Sequence, residues 1–204
     1  ADWANATSEK PVEKLVGRNK EQTDYINDIL IPTNALHGDL IPVSTFMSTA
    51  DGAIPAGTAA FEKRGVATDI PQWTKENCIQ CNWCSYVCPH GVIRPFVLDE
   101  DEVEKSGANV LKMKGTENKF FTISISALDC TGCGSCSEIC PARKKALELI
   151  PAEDKDVEKA QETFDYLFKN IDEKDVPFGE DTVKGTQFKQ PLLEFSGACP
   201  GCGE

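Results

Sequence analysis

Ten cysteines carry the chemistry open to this 204-residue chain, and eight of them fall into two runs of one spacing. Cys78, Cys81, Cys84 and Cys88 form the first run, and Cys130, Cys133, Cys136 and Cys140 the second. Each reads C-x2-C-x2-C-x3-C-P, closing on Pro89 or Pro141, and the two repeat at an offset of 52 residues. Thiolates are strong, soft donors, and iron–sulfur clusters select them. Three closely spaced thiols wrap one face of a cube, whereas disulfides usually join elements approaching from farther along the chain. In this spacing the fourth cysteine of each run ligates the other run's cluster. The expected ligand sets are therefore Cys78, Cys81, Cys84 and Cys140 for a first [4Fe-4S] cluster, and Cys130, Cys133, Cys136 and Cys88 for a second. A zinc ribbon is the bland alternative, but it needs only paired C-x2-C motifs and gives no reason for the third cysteine or the C-P ending.

The residues between the thiols differ in the two runs. Gly132, Gly134 and Ser135 let the second bend tightly, while the first carries Ile79, Gln80, Asn82 and Trp83 in their place. Trp83 is expected to shield the first cluster from water, which would tune its potential. His37 and His90 are the only histidines; neither belongs to a nucleophile pattern, and His90, after Pro89, is expected to hydrogen-bond or pack near a cluster. There is no Walker loop, no G-x-G-x-x-G and no separate catalytic constellation. With 21 basic and 33 acidic residues the net charge is -12, which disfavours nucleic acid and anionic membranes as partners. No apolar run approaches the roughly 20 residues that span a bilayer, and no signal peptide is evident. Clustered thiolates call for a reducing compartment, so Asn5-Ala6-Thr7 reads as a chance sequon.

The elements that must position these thiols are mostly short. Residues 11–30 suggest a helix ended by Pro32, residues 40–46 an extended edge segment, and residues 50–72 irregular chain rich in turns. A short strand interrupted by Pro95 is expected over 92–98, and Asp99–Glu104 reads as a solvated acidic insertion rather than a calcium loop. Phe121–Ser126 alternates like a half-buried strand. Pro141–Leu149 suggests a short helix, Val157–Ile171 is the clearest helix, with one apolar stripe, and residues 172–191 read as a linker. Forty-one residues, 89 through 129, separate the runs, which places an insertion at about 99–119. The fold class is α+β: a bacterial-type two-[4Fe-4S] ferredoxin-like domain with an insertion, between a small irregular N-terminal linking domain and a C-terminal helix and linker.

Four stretches together resemble the pyruvate:ferredoxin (flavodoxin) oxidoreductases. They are Gly57–Gly65 with its Glu62-Lys63-Arg64 triplet, Cys88–Pro95, Leu128–Gly134, and the terminal Cys199-Pro200-Gly201-Cys202-Gly203-Glu204. The resemblance implies a divided chain: 1–18 the end of a preceding domain, 19–67 a Glu-Lys-Arg linking domain, 68–152 the two-cluster domain, 153–190 helix and linker, and 191–204 the start of a thiamine-diphosphate-binding domain. It implies that Cys199 and Cys202 supply two ligands of a third [4Fe-4S] cluster. Thiamine diphosphate with magnesium, and turnover itself, would belong to the longer parent, of which this chain, beginning at Ala1, reads as a fragment. Implied partners are the parent's other domains, arranged as a homodimer, and a soluble ferredoxin or flavodoxin, in cytoplasm or an anaerobic organelle. The implied role is relay of single electrons during oxidative decarboxylation of pyruvate to acetyl-CoA. A free-standing two-cluster carrier and a zinc-held interaction module are the alternatives. Glu62-Lys63-Arg64 reads as a solvated turn by composition, and as structural in a linking domain by resemblance.

Overall fold

A computed structural model describes residues 20–55, 58–61, 63, 65–154 and 156–190. Glu62, Arg64, Cys199 and Cys202 therefore lie outside the described residues. The chain divides into two compact units, Ala1–Phe61 and Glu62–Glu204.

In the first unit, α1 (Lys20–Tyr25) passes through a π-helical turn (Ile26–Leu30) into α2 (Ile31–Asn34). Pro32 does not end the helix as expected. The wide turn re-registers the backbone so that Pro32 falls at the start of α2, where a missing N–H and a fixed φ are tolerated. The expected extended segment over 40–46 is instead two 3-10 turns, Gly38–Leu40 and Val43–Thr49. Leu40 and Val43 are largely exposed, so no sheet draws this segment out.

The second unit is built on two small antiparallel sheets. In one, β1 (Asp69–Trp73) pairs with β5 (Leu147–Pro151), from Asp69 opposite Pro151 to Trp73 opposite Leu147. The other has the order β2-β4-β3, with β2 at Ile93–Leu98, β3 at Leu111–Lys112 and β4 at Phe120–Ile125. Pro95 sits inside β2 without interrupting it, because an edge strand has a side that owes no ladder bond. The strands β1 and β5 replace the irregular chain and the short helix that local pattern suggests. Each exists because the other, distant in sequence, satisfies its backbone.

Cys84 of the first run lies in α3 (Trp83–Tyr86), Asp99 caps α4 (Glu100–Ser106), and Cys136 of the second run lies in α5 (Ser135–Glu138). Asp99 is more than a solvated acid. It forms a capping box with Glu102 and pairs with Lys119 and Lys174, which hold its carboxyl below the ordinary range.

Helix α6 (Val157–Asn170) presents Gln161, Phe164 and Leu167 inward, as its stripe requires. It covers β4, and residues Phe121–Ile125 are consequently buried on both faces rather than alternately exposed. The span read as a linker contains α7 (Val183–Phe188), whose Phe188 is buried against Phe121 and Phe178. The main core thus runs from Trp73 through β2, β4 and β5 to Phe164 and Phe188, with a smaller cluster of Phe96, Leu98 and Leu167 beside it.

Candidate metal centres

The two cysteine runs fold alike. In the first, Gln80 and Asn82 have φ of 62° and 62°; in the second, the equivalent Gly132 and Gly134 have φ of 70° and 80°. These left-handed corners turn the backbone inward, so the Gln80 amide donates to Cys78 Sγ and the Gly132 amide to Cys130 Sγ, each at 3.4 Å. After the second corner each run becomes a single helical turn, α3 or α5. Glycine adopts such corners freely, but glutamine does not. Gln80 is held there by Lys112 O, which accepts from its Nε2 at 2.8 Å, and by the Lys114 N–H, which donates to its Oε1 at 2.9 Å. Asn82 Nδ2 donates to Lys184 O at 3.0 Å, while Ser85 Oγ donates to Gln187. Thus α7 and the strand β3 brace the first run.

The runs bring their thiols together in two groups. Cys78, Cys81, Cys84 and Cys140 share one cavity with Trp73, Phe121, Ile123 and Leu147. Cys88, Cys130, Cys133 and Cys136 share another with His90, Val92, Ile93 and Leu149. The two cavities are equal in size, each about 20 Å³. In both, three thiols come from one run and the fourth crosses from the other. Helices α3 and α5 pack against each other, with Cys84 and Cys136 on the two sides.

Burial dominates the electrostatics of these thiols. It pushes Cys136 up to about 12, with the neighbouring charges of Cys88, Cys130 and Cys133 adding to it, and raises Cys84 still further. Cys78 is raised by burial too, but the Gln80 amide and the Trp73 indole oppose the shift. Burial also acts to raise Cys133, yet hydrogen bonds from Ser135 and Thr131 outweigh it and leave that exposed thiol lowered. A ligand that binds here must displace protons from the buried thiols, which strongly bound soft metal ions do.

The donor set fits a sulfur-bridged cluster better than a single ion. Among the described residues, no three His, Cys, Asp or Glu side chains converge closely enough to hold one metal ion. The eight thiols of the runs are free of disulfides and stand around space instead. The buried Nε1–H of Trp73 has no well-formed hydrogen bond, but lies near enough to the Cys78 sulfur to favour its thiolate. The Ala146 amide donates to Cys140 Sγ at 3.4 Å. Such donors aimed at sulfur stabilise an anionic cluster.

Several residues with a part in these sites carry no local sequence signal. Trp73, not Trp83, walls the first cavity; Trp83 is 41% exposed and packs edge-on against Tyr86. Gln80 and Asn82 announce left-handed corners only through their alignment with Gly132 and Gly134 in the repeat. Buried Arg94 donates to Gly91 O at 3.0 Å and lies over Phe168, with its pKa lowered to about 10 by burial and partly restored by the nearby Cys88. Of the histidines, His90 lines the second cavity and His37 is exposed.

Gly132 is the tightest point of the second run. A Cβ there would meet Asp69 O at 2.9 Å and Ala67 Cβ at 3.5 Å. Gly132→Ala is therefore expected to cost about 1–3 kcal/mol for the left-handed corner alone. Thermal melting should show that loss, and iron retention at the second site should fall with it, whereas an unchanged melting point would contradict the packing.

Comparison with known proteins bears on the same residues. Residues 77–144 match the 4Fe-4S dicluster domain, and residues 12–67 match EKR, a domain of unknown function. The pyruvate:ferredoxin oxidoreductase of Moorella thermoacetica is 46% identical over all of this chain and 17% of its own length. The pyruvate-flavodoxin oxidoreductase of Klebsiella pneumoniae gives the same identity and coverage. The pyruvate dehydrogenase [NADP(+)] of Cryptosporidium parvum is 46% identical over 88% of this chain and 9% of its own length. The chain thus spans about a sixth, or less, of the relatives it matches. Among the described residues no helix is long and apolar enough to cross a membrane. With a dicluster domain of mixed helix and sheet at its centre and matches running its whole length, this chain is similar, as one segment, to pyruvate:ferredoxin and pyruvate-flavodoxin oxidoreductases.

Proposed function

We propose that this segment relays single electrons through two [4Fe-4S] clusters in an enzyme that oxidises pyruvate with coenzyme A. Cys78, Cys81, Cys84 and Cys140 would hold the first cluster, and Cys88, Cys130, Cys133 and Cys136 the second. The observation that carries this reading is the grouping of eight thiols into two crossed sets of four around cavities of equal size. When bound, each cluster supplies a one-electron redox centre. The protein contributes the rest. Apolar walls from Trp73, Phe121, Ile123 and Leu147 exclude water from the first site, and amides from Gln80, Gly132 and Ala146 donate to ligand sulfur. Packing of α3 on α5 sets Cys84 beside Cys136, which brings the two sites near each other for transfer.

The same proposal gives Cys199 and Cys202 two ligands of a third cluster, nearer thiamine diphosphate and magnesium in the parent homodimer. The electron acceptor would be a soluble ferredoxin or flavodoxin, in a reducing compartment. Relatives named for ferredoxin, flavodoxin and NADP(+) share this segment, so it serves as a common relay ahead of different acceptors.

Reconstitution under anaerobic conditions tests the reading. About eight iron and eight sulfide per chain are expected from two cubane clusters, with visible charge-transfer absorption. Stoichiometric zinc without that absorption would overturn it.

A further inference from the structure

The second cysteine run is gripped from outside by Lys63, Gly65, Ala67 and Asp69. Asp129 immediately precedes Cys130, and its carboxylate is 1% exposed. That carboxylate accepts from the Lys63 ammonium and from the Ser126 hydroxyl. Ser126 Oγ also lies 3.1 Å from Gln161 Oε1, and that oxygen accepts the Leu128 N–H at 3.0 Å. Two residues beyond Lys63, the Gly65 N–H donates to Leu128 O at 2.8 Å. Farther on, Ala67 and Asp69 O lie against Gly132. Lys63, Gly65, Ala67 and Asp69 therefore lie beside residues 128–132, the approach to the second site and its first corner. Lys63 comes from the stretch that matches a domain of unknown function, outside the dicluster match.

A buried carboxylate needs a partner, and Lys63 supplies it here. The pairing also has an electrical consequence. Reduction adds one negative charge to a cluster, so a nearby unpaired carboxylate opposes reduction and a nearby unpaired ammonium favours it. As a pair, Lys63 and Asp129 largely cancel.

We propose that Lys63 is a positioning residue of the second cluster, neutralising Asp129 and thereby fixing both the path of the chain into Cys130 and the reduction potential of that cluster. The proposal rests on the ligand sets given above, with Cys88, Cys130, Cys133 and Cys136 at the second site. It gives the lysine of the Glu62-Lys63-Arg64 triplet a task that neither a solvated turn nor a plain domain linker would have.

An EPR-monitored redox titration of the cluster-loaded protein tests it, with the second-cluster signal identified as the one that Cys88→Ala abolishes. Lys63→Met should move the second cluster's potential to a more negative value and leave the first unchanged. Asp129→Asn should move it the opposite way, and this variant keeps the question decidable if Lys63→Met folds poorly. The double variant should return towards the native value, and Lys63→Arg should restore it. Selective loss of the second cluster in Lys63→Met, rescued by Lys63→Arg, would also support the proposal. Equal movement of both clusters, or shifts of the same sign in Lys63→Met and Asp129→Asn, would overturn it, as would a second cluster indifferent to both changes. A native protein without two separately titrating clusters would overturn the ligand sets and this proposal with them; two clusters that ignore Lys63 would overturn the proposal alone.

Discussion

Replacing Cys88 with alanine should empty the second site and spare the first, although Cys88 belongs by sequence to the first run. The cavity that contains Cys88 is the one lined by Cys130, Cys133 and Cys136, and the charges of Cys88, Cys130 and Cys133 together act on Cys136. A cubane that loses one of four thiolate ligands is expected to leave or degrade, so iron should fall from about eight to about four per chain. The mirror change, Cys140→Ala, should empty the site of Cys78, Cys81 and Cys84. Iron analysis with EPR of each variant reads the result directly. If Cys88→Ala instead removes the first cluster, each run binds its own cluster and the crossed assignment is wrong.

Phe164→Ala should carry the largest cost in stability, about 3–5 kcal/mol, the usual toll for removing a buried phenylalanine. Phe164 is 1% exposed, stacked on Phe168 with ring centres 5.9 Å apart and edge-on to Phe96 at 6.4 Å. It belongs to the main core, while its neighbours Phe96 and Phe168 reach the smaller cluster around Leu98 and Leu167. A cavity here would loosen α6 from β4, and with it Gln161, which accepts the Leu128 N–H just ahead of Cys130. The expected sign is an earlier loss of the visible cluster absorption on heating, with the second cluster bleaching first. Bleaching at the native temperature would show that α6 contributes little to the site.

What local pattern reveals here and what it hides have a physical boundary. The cysteine runs are legible because ligand spacing is a property of consecutive residues and needs no tertiary context. Helix α6 is legible because its stripe at three- and four-residue intervals persists for its whole length. The strands β1 and β5 are hidden, since Pro71 and Pro151 argue against strand locally and only pairing of Asp69–Trp73 with Leu147–Pro151 overrides them. Helix α7 is hidden among glycine, proline and charge, and Phe178 and Phe188 become informative only once Phe188 is known to pack against both Phe121 and Phe178. Trp83 looks like the natural shield because it sits inside the run, yet the sheet places Trp73 at the cavity instead. Lys63 reads as a solvated charge until Asp129, 66 residues away, is seen to be its partner.

The two runs also differ in when they can be finished on the ribosome. The corners of the second are glycines and need no outside support. Those of the first are Gln80 and Asn82, and their braces are Lys112, Lys114 and Lys184. Asn82 waits for a carbonyl 102 residues downstream, and the fourth thiol of its cavity, Cys140, also comes later. The motif translated first is consequently the last to mature. Delivery of iron and sulfide to the first site is therefore expected to follow synthesis of α7 rather than keep pace with the nascent chain.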